Sequence, residues 1–81
     1  MRKNEEKITQ ETSDLNVCVV LVYFGHHLAR IDRSEPRRCI FILSWSEESD
    51  EIIEQFFDGE LLVDPKRFIA IQKDLKSRIY A

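Results

Sequence analysis

Glycine, proline and cysteine are scarce in this sequence, which contains two of each among its 81 residues. A chain so poor in glycine and proline is neither collagen-like nor a low-complexity polymer. Two glycines also cannot build the glycine-rich loop that cradles a nucleotide phosphate. The two cysteines, Cys18 and Cys39, lie 21 positions apart in apolar stretches. This pattern favours buried thiols in a reducing compartment over a disulfide scaffold, so we expect a cytoplasmic protein.

Long apolar runs are missing as well. The longest one, from Val17 to Phe24, has eight residues, whereas a membrane-spanning helix needs about 20. Acidic residues at positions 5, 6, 11 and 14 separate this run from the basic residues near the start of the sequence, unlike in a signal peptide. The sequence therefore predicts a soluble protein without a membrane partner.

The composition indicates one small compact domain. Hydrophobic residues make up 43% of the chain and charged residues 33%, with a formal net charge of −3. A folded chain of this size buries only about 60% of the surface that its unfolded form exposes, so its core is thin and leaves little room for a deep enclosed pocket. We infer no cofactor and no small-molecule substrate.

The first part of the chain divides into a tail and a buried segment. Residues 1–12 are polar apart from Ile8, and we expect them to form a flexible tail ahead of a single domain over residues 13–81. The side chains before Leu15 can cap a helix and Gly25 can end one, which predicts a helix over residues 14–24. The β-branched valines within this segment favour a strand instead, and that alternative stays open.

The middle of the chain has the pattern of a β-hairpin. Segments 27–32 and 37–43 flank residues 33–36, in which Ser34 and Pro36 are turn residues. The second segment is apolar on both faces, which is typical of a central strand that is covered on each side.

Two further helices are indicated by their ends. Ser44 or Ser46 can cap a helix that has acidic residues in its first turn and ends at Asp58-Gly59. Residues 60–63 are long enough for a short edge strand, and Asp64-Pro65 is a strong start signal for a last helix. The apolar face of this helix consists of Phe68, Ile71, Leu75 and Ile79. The predicted fold class is α+β, in the order helix, β-hairpin, helix, short edge strand and helix around a small antiparallel sheet.

Several segments resemble, in the same order, the pattern of an uncharacterised family of short bacterial and phage proteins. The matching segments are 13–15, 31–38, 59–65 and 75–80, so the likeness covers roughly residues 13 to 80. The resemblance implies one small α+β domain and a mobile-element setting, and it transfers no catalytic residue. The chain departs from the family pattern at Val17–Val22, where an alanine- and leucine-rich helix is usual, and at Phe56-Phe57, where a tyrosine and tryptophan pair is usual.

Metal binding and catalysis find little support in the residue pattern. His26, His27, Cys18 and Cys39 could all ligate zinc, but structural zinc sites usually begin with a pair of ligands two to four residues apart, and no such cysteine pair exists. The two histidines follow a predicted helix end, where an imidazole can interact with the last carbonyls. Neither cysteine has neighbours that would lower its pKa, and the many carboxylates lie on a predicted solvated helix face. We therefore expect no metal site and no enzymatic activity.

Charge is distributed unevenly along the chain. Residues 45–63 hold seven acidic groups and no basic ones, whereas the last helix is mostly basic. The hairpin carries the arginines Arg30, Arg33, Arg37 and Arg38. These arginines could contact nucleic-acid phosphates, or the acidic and basic elements could neutralise each other across the fold. The negative net charge favours the second interpretation.

Two hypotheses about function follow. The preferred one is a non-enzymatic accessory or adaptor protein that binds an unidentified protein, or a second copy of itself as a homodimer. Trp45, Phe57 or Tyr80 would then supply an aromatic anchor. The alternative is a small nucleic-acid-binding factor that uses the arginine-rich hairpin. The candidate contact residues of the two hypotheses are Arg30, Arg33, Arg37, Arg38 and Trp45.

Overall fold

The computed structural model describes residues 8–35 and 37–80 of the chain. These residues form a three-stranded antiparallel sheet and three helices: β1 (Thr9–Thr12), α1 (Leu15–Tyr23), β2 (Leu28–Glu35), β3 (Arg38–Ser44), α2 (Glu47–Asp58) and α3 (Pro65–Ile79). The α+β class and the order of helix, hairpin and helix are confirmed. None of the helices in the described residues combines the length and apolarity needed to cross a membrane.

The first helix is confirmed over Leu15–Tyr23, although its valines favour strands. The carboxylate of Asp14 caps its start by accepting hydrogen bonds from the main-chain N–H groups of Asn16 and Val17. All residues from Val17 to Leu21 are buried, because α1 contacts the strands β1 and β3 as well as the helices α2 and α3. Burial on all sides decides in favour of the helix, since it outweighs the small intrinsic preference of valine for strands.

The strand β3 lies at the centre of the sheet, between β1 and β2. Phe41 and Leu43 point toward α1 and are buried, and together with Leu75 of α3 they belong to the core. Phe56 and Phe68 pack half-buried against this core. The predicted central strand is therefore confirmed, and β2 continues past its expected end to Glu35, which pairs with Arg38.

The third strand is not where the sequence analysis placed it. Thr9–Thr12, which we expected in a flexible tail, form β1 and pair with β3, because main-chain hydrogen bonds to an open strand edge do not require apolar side chains. Residues 1–7 of the predicted tail lie outside the described residues. The edge strand predicted for residues 60–63 is wrong: this segment is an irregular linker between α2 and α3. Of its apolar side chains, Leu61 packs against the core, whereas Leu62 is 90% exposed.

The ends of α2 and α3 follow the predicted signals. Ser46 rather than Ser44 is the N-cap of α2, and its main-chain N–H donates to the Oγ of the buried Ser49 at 2.8 Å. Gly59 ends α2 in the left-handed conformation, at a φ of 76°. Asp64 caps α3 directly before Pro65, as the sequence predicts.

Candidate functional site

A concave surface with a mainly apolar lining lies between α2 and α3. It has a volume of about 420 Å³, and its floor is Val20 of α1. Phe56 forms the wall on the α2 side, and Phe68 and Ile69 form the wall on the α3 side. Gly59, Leu61, Val63 and Pro65 close one end through the linker. We call these eight residues the helix groove.

The groove exists because both walls pack on α1. α1 contacts α2 and α3, and the buried Val20 of α1 lines the space between them. Leu61 and Val63 of the linker contribute to the lining of this space. A gap between two helices above a third is a shape that accepts an amphipathic helix.

Tyr23 fixes the α3 wall in position. Its hydroxyl oxygen accepts a hydrogen bond from the main-chain N–H of Asp64 at 2.9 Å. The guanidinium of Arg67 lies 4.4 Å from the centre of the Tyr23 ring, and its Nη2 donates to the Tyr23 main-chain oxygen at 3.2 Å. A cation over an aromatic face adds to these hydrogen bonds. The beginning of α3 is therefore tied to the end of α1 by three contacts.

Large apolar side chains are exposed on Ile69, which lines the groove, and on sequence neighbours of other lining residues, namely Phe57 beside Phe56 and Leu62 between Leu61 and Val63. Leu62 is 90% exposed, Phe57 66% and Ile69 48%. The Phe57 ring lies beside that of Phe56, with a distance of 5.1 Å between ring centroids. Single exposed apolar residues are common, but a cluster around an apolar groove is typical of an interaction site.

The two walls of the groove carry opposite charge. α2 has six carboxylates and no basic residue, whereas α3 has five basic residues and one acidic one. Lys66 and Lys73 lie three residues before and four residues after Ile69, so they flank it on the helix surface. On α2, Glu54 lies three residues before Phe57 and is therefore its neighbour on the helix surface. A bound segment would therefore have an acidic wall on one side and a basic wall on the other.

The structure separates the five candidate contact residues of the sequence analysis. Arg30 is exposed on β2, and Arg37 and Arg38 are exposed at the hairpin turn. The Nη1 of Arg33 donates to the main-chain oxygens of Arg78 and Ile79, at 3.3 and 2.9 Å. Its guanidinium is thus engaged at the end of α3.

Trp45 also has a partner within the chain. Its indole N–H donates to the Oδ1 of Asp50 at 2.9 Å, and its half-buried ring packs against the core. Of the three proposed aromatic anchors, Phe57 and Tyr80 are exposed, the latter by 81%. Only Phe57 lies at the helix groove.

The groove residues were not predicted from the sequence to form a binding site. Leu61 and Val63 were assigned to an edge strand, and Phe68 was assigned only to the core. The one signal in the sequence is that the linker is apolar. It lies between a helix end at Gly59 and a helix start at Asp64, and no neighbouring segment of the sequence has the pattern of a strand that could pair with it.

The cysteines and histidines lie apart from this groove. Cys18 is buried, and burial raises the pKa of its thiol to about 12, so it is a poor nucleophile. The Nδ1 of His26 lies 3.2 Å from the main-chain oxygen of Leu21, which is the predicted interaction of an imidazole with the carbonyls at a helix end. Within the described residues, no group of three or more histidine, cysteine, aspartate and glutamate side chains is placed to hold a metal ion.

A second cavity, beside the end of α1, has mixed polarity. Its volume is about 450 Å³, and His26, His27, Asp74 and Arg78 contribute its polar groups. The Nη2 of Arg78 pairs with the Oδ2 of Asp74 at 3.1 Å, so these two charges already compensate each other. The cavity has no serine or cysteine in its lining that could act as a nucleophile.

Comparison with known proteins gives a family without an assigned activity. The family described as a domain of unknown function (DUF5659) matches residues 7–81, which includes β1. This match confirms the resemblance to an uncharacterised family. Neither a curated protein nor a solved structure matches the chain.

Proposed function

We propose a function from the structure of the chain, because the family to which the chain belongs, DUF5659, is a domain of unknown function. The protein is a non-enzymatic binding module that holds an amphipathic helix of a partner protein in the helix groove. The observation that carries this proposal is the apolar groove between α2 and α3, with the exposed Ile69 in its lining and the exposed Phe57 and Leu62 next to lining residues in the chain.

The shape and the charge of the groove both favour a helix as occupant. A helix lays apolar residues of the i, i+3, i+4 and i+7 spacing into a groove between two other helices. The opposite charges of α2 and α3 select a helix whose apolar stripe has basic residues on the side facing α2 and acidic residues on the side facing α3. This arrangement also fixes the direction in which the helix binds.

The proposed function includes an association with a mobile element, a cytoplasmic location and a role in binding. The likeness to short bacterial and phage proteins supports an accessory role in a phage or other mobile element. The free thiols of Cys18 and Cys39 support a cytoplasmic location. The absence of an exposed nucleophile beside a base among the described cavity linings supports a role in binding rather than catalysis.

A selection from displayed peptides tests the proposal. The library consists of helix-forming peptides with a fixed apolar stripe and random charges on both sides of it, and the bait is the whole protein. We expect the selection to yield peptides with basic residues on one side of the stripe and acidic residues on the other. These peptides should bind the Ile69→Glu variant at least about tenfold more weakly than they bind the wild type.

The matched control is Tyr80→Glu, which places the same charge at an exposed aromatic residue outside the groove. Selected peptides should bind this variant as they bind the wild type. Peptides that bind Ile69→Glu and the wild type equally well, or a selection without charge asymmetry, would contradict the proposal.

A further inference from the structure

The sheet has an outer face that is turned away from α1. Side chains directly opposite each other on neighbouring strands point to the same face. Phe41 and Leu43 point inward to α1, so Ile40 and Ile42 of the same strand point outward. Both isoleucines are only half-buried. The apolar pattern of β3 predicts a cover on both of its faces, and among the described residues the outer face is covered only in part.

The register places a charged residue on each side of Ile42. Glu11 of β1 and Arg30 of β2 both pair with Ile42, so the three side chains form one row across the outer face. Arg30 reaches this face because the register shifts by one residue at Ala29, which leaves Leu28 opposite the inward Leu43. The row therefore runs from a negative side chain on β1 through an apolar one on β3 to a positive one on β2.

This row is complementary to a second copy of itself. When two such faces pack on each other about a two-fold axis parallel to the strands, the β1 edge of one sheet lies over the β2 edge of the other. Glu11 of each copy then lies opposite Arg30 of the other, while the isoleucines meet in the middle. A two-fold axis perpendicular to the strands and through this row would instead place Glu11 on Glu11 and Arg30 on Arg30, which is unfavourable.

We infer that the protein forms a homodimer through the outer face of its sheet, with Ile40 and Ile42 at the centre and two symmetric Glu11 to Arg30 ion pairs beside them. Sheets that pack face to face in this way lie about 10 Å apart with nearly aligned strands. A face of three short strands is smaller than a standard protein interface, so we expect a weak dimer that forms at high protein concentration.

The dimer does not depend on the helix groove. No residue of the groove lies on the outer face of the sheet, and the groove is built from the helices and the linker. A dimer would therefore carry two grooves, and either proposal can fail without the other.

Charge exchange between two variants tests the dimer. Glu11→Arg places two arginines opposite each other in a dimer, and Arg30→Glu places two glutamates opposite each other. Each variant alone should sediment as a monomer at concentrations where the wild type is a dimer, with affinity reduced about tenfold or more. An equimolar mixture of the two restores both ion pairs, so it should form a heterodimer.

The control pair is Glu51→Arg and Lys76→Glu, which makes the same charge changes at exposed positions of α2 and α3. These variants should dimerise like the wild type, alone and mixed. Circular dichroism melts verify that all variants are folded. A wild type that stays monomeric at about 500 µM, or a mixture of Glu11→Arg and Arg30→Glu that stays monomeric, would overturn the inference.

Discussion

The guanidinium of Arg33 on β2 donates a hydrogen bond to the main-chain oxygen of Ile79, in the last turn of α3, at 2.9 Å. It donates a second one to the oxygen of Arg78 at 3.3 Å. The last carbonyls of a helix have no partners within the helix and carry the negative end of its dipole, so a cation is favourable there. This contact ties the far end of β2 to the end of the chain's last helix.

The first prediction concerns this connection. Arg33→Ala should lower the free energy of unfolding by about 0.5–1.5 kcal/mol, because it removes hydrogen bonds from a charged donor at an exposed site. Urea unfolding measures the change, and Arg37→Ala at the exposed turn is the control with little or no effect. Equal effects of the two substitutions would mean that the contact does not stabilise the fold.

The second prediction concerns the core. Phe41 is 1% exposed at the centre of the sheet, and Phe41→Ala should cost about 3–5 kcal/mol because it leaves a cavity beneath α1. A domain of this size has little more stability than that, so the variant should be largely unfolded at 37 °C. A thermal melt followed by circular dichroism that matches the wild type would contradict the position of Phe41 in the core.

The third prediction concerns pH. Burial raises the pKa of the Cys18 thiol from 9.0 to about 12, so the folded protein keeps a proton there that the unfolded chain loses. The stabilisation is present below about pH 9 and is lost as the pH rises toward 12.

The urea midpoint of the wild type should therefore fall more steeply above pH 9 than that of Cys18→Ala, in which the thiol is absent. Other groups titrate in both proteins, so the difference between the two curves reports Cys18. Parallel curves would show that the thiol does not titrate differently in the folded and unfolded states.

The fourth prediction concerns nucleic acid. Arg33 donates hydrogen bonds to main-chain oxygens of α3, and Arg30, Arg37 and Arg38 are the other exposed arginines of the hairpin. We expect duplex DNA to bind no more tightly than about 10⁻⁴ M at physiological salt, which is the weak end of non-specific affinity.

Fluorescence anisotropy at several salt concentrations measures this affinity. If the three arginines neutralised phosphates, the affinity would fall with salt with a log–log slope of about −2.7. Micromolar binding with such a slope, abolished by changing Arg37 and Arg38 to alanine, would support the nucleic-acid hypothesis instead.

The sequence predicted the elements that carry their own local signals. Asp14, Gly59 and Asp64-Pro65 mark helix ends through hydrogen bonds and backbone angles that depend on nearby residues only. The turn residues before Arg38 and the apolar β3 indicated the hairpin in the same way. These predictions succeeded because their physical causes lie within a few residues of each other.

Features that depend on distant residues were not predictable in this way. Thr9–Thr12 become a strand only because the edge of β3, some 30 positions away, is open to pair with them. Leu61 and Val63 line a groove because α1 holds α2 and α3 apart. The arginine pattern likewise did not reveal that Arg33 reaches the end of α3, which depends on the packing of the whole domain.

The most direct test of the helix groove is to map where a selected amphipathic peptide binds, by following the amide NMR signals of the labelled protein during titration. The account predicts that the largest shifts occur at Leu61, Val63, Phe68 and Ile69, while the signals of Ile40 and Ile42 on the outer face of the sheet change little. Shifts concentrated on β3 and the hairpin, with the α2 and α3 walls unaffected, would contradict it.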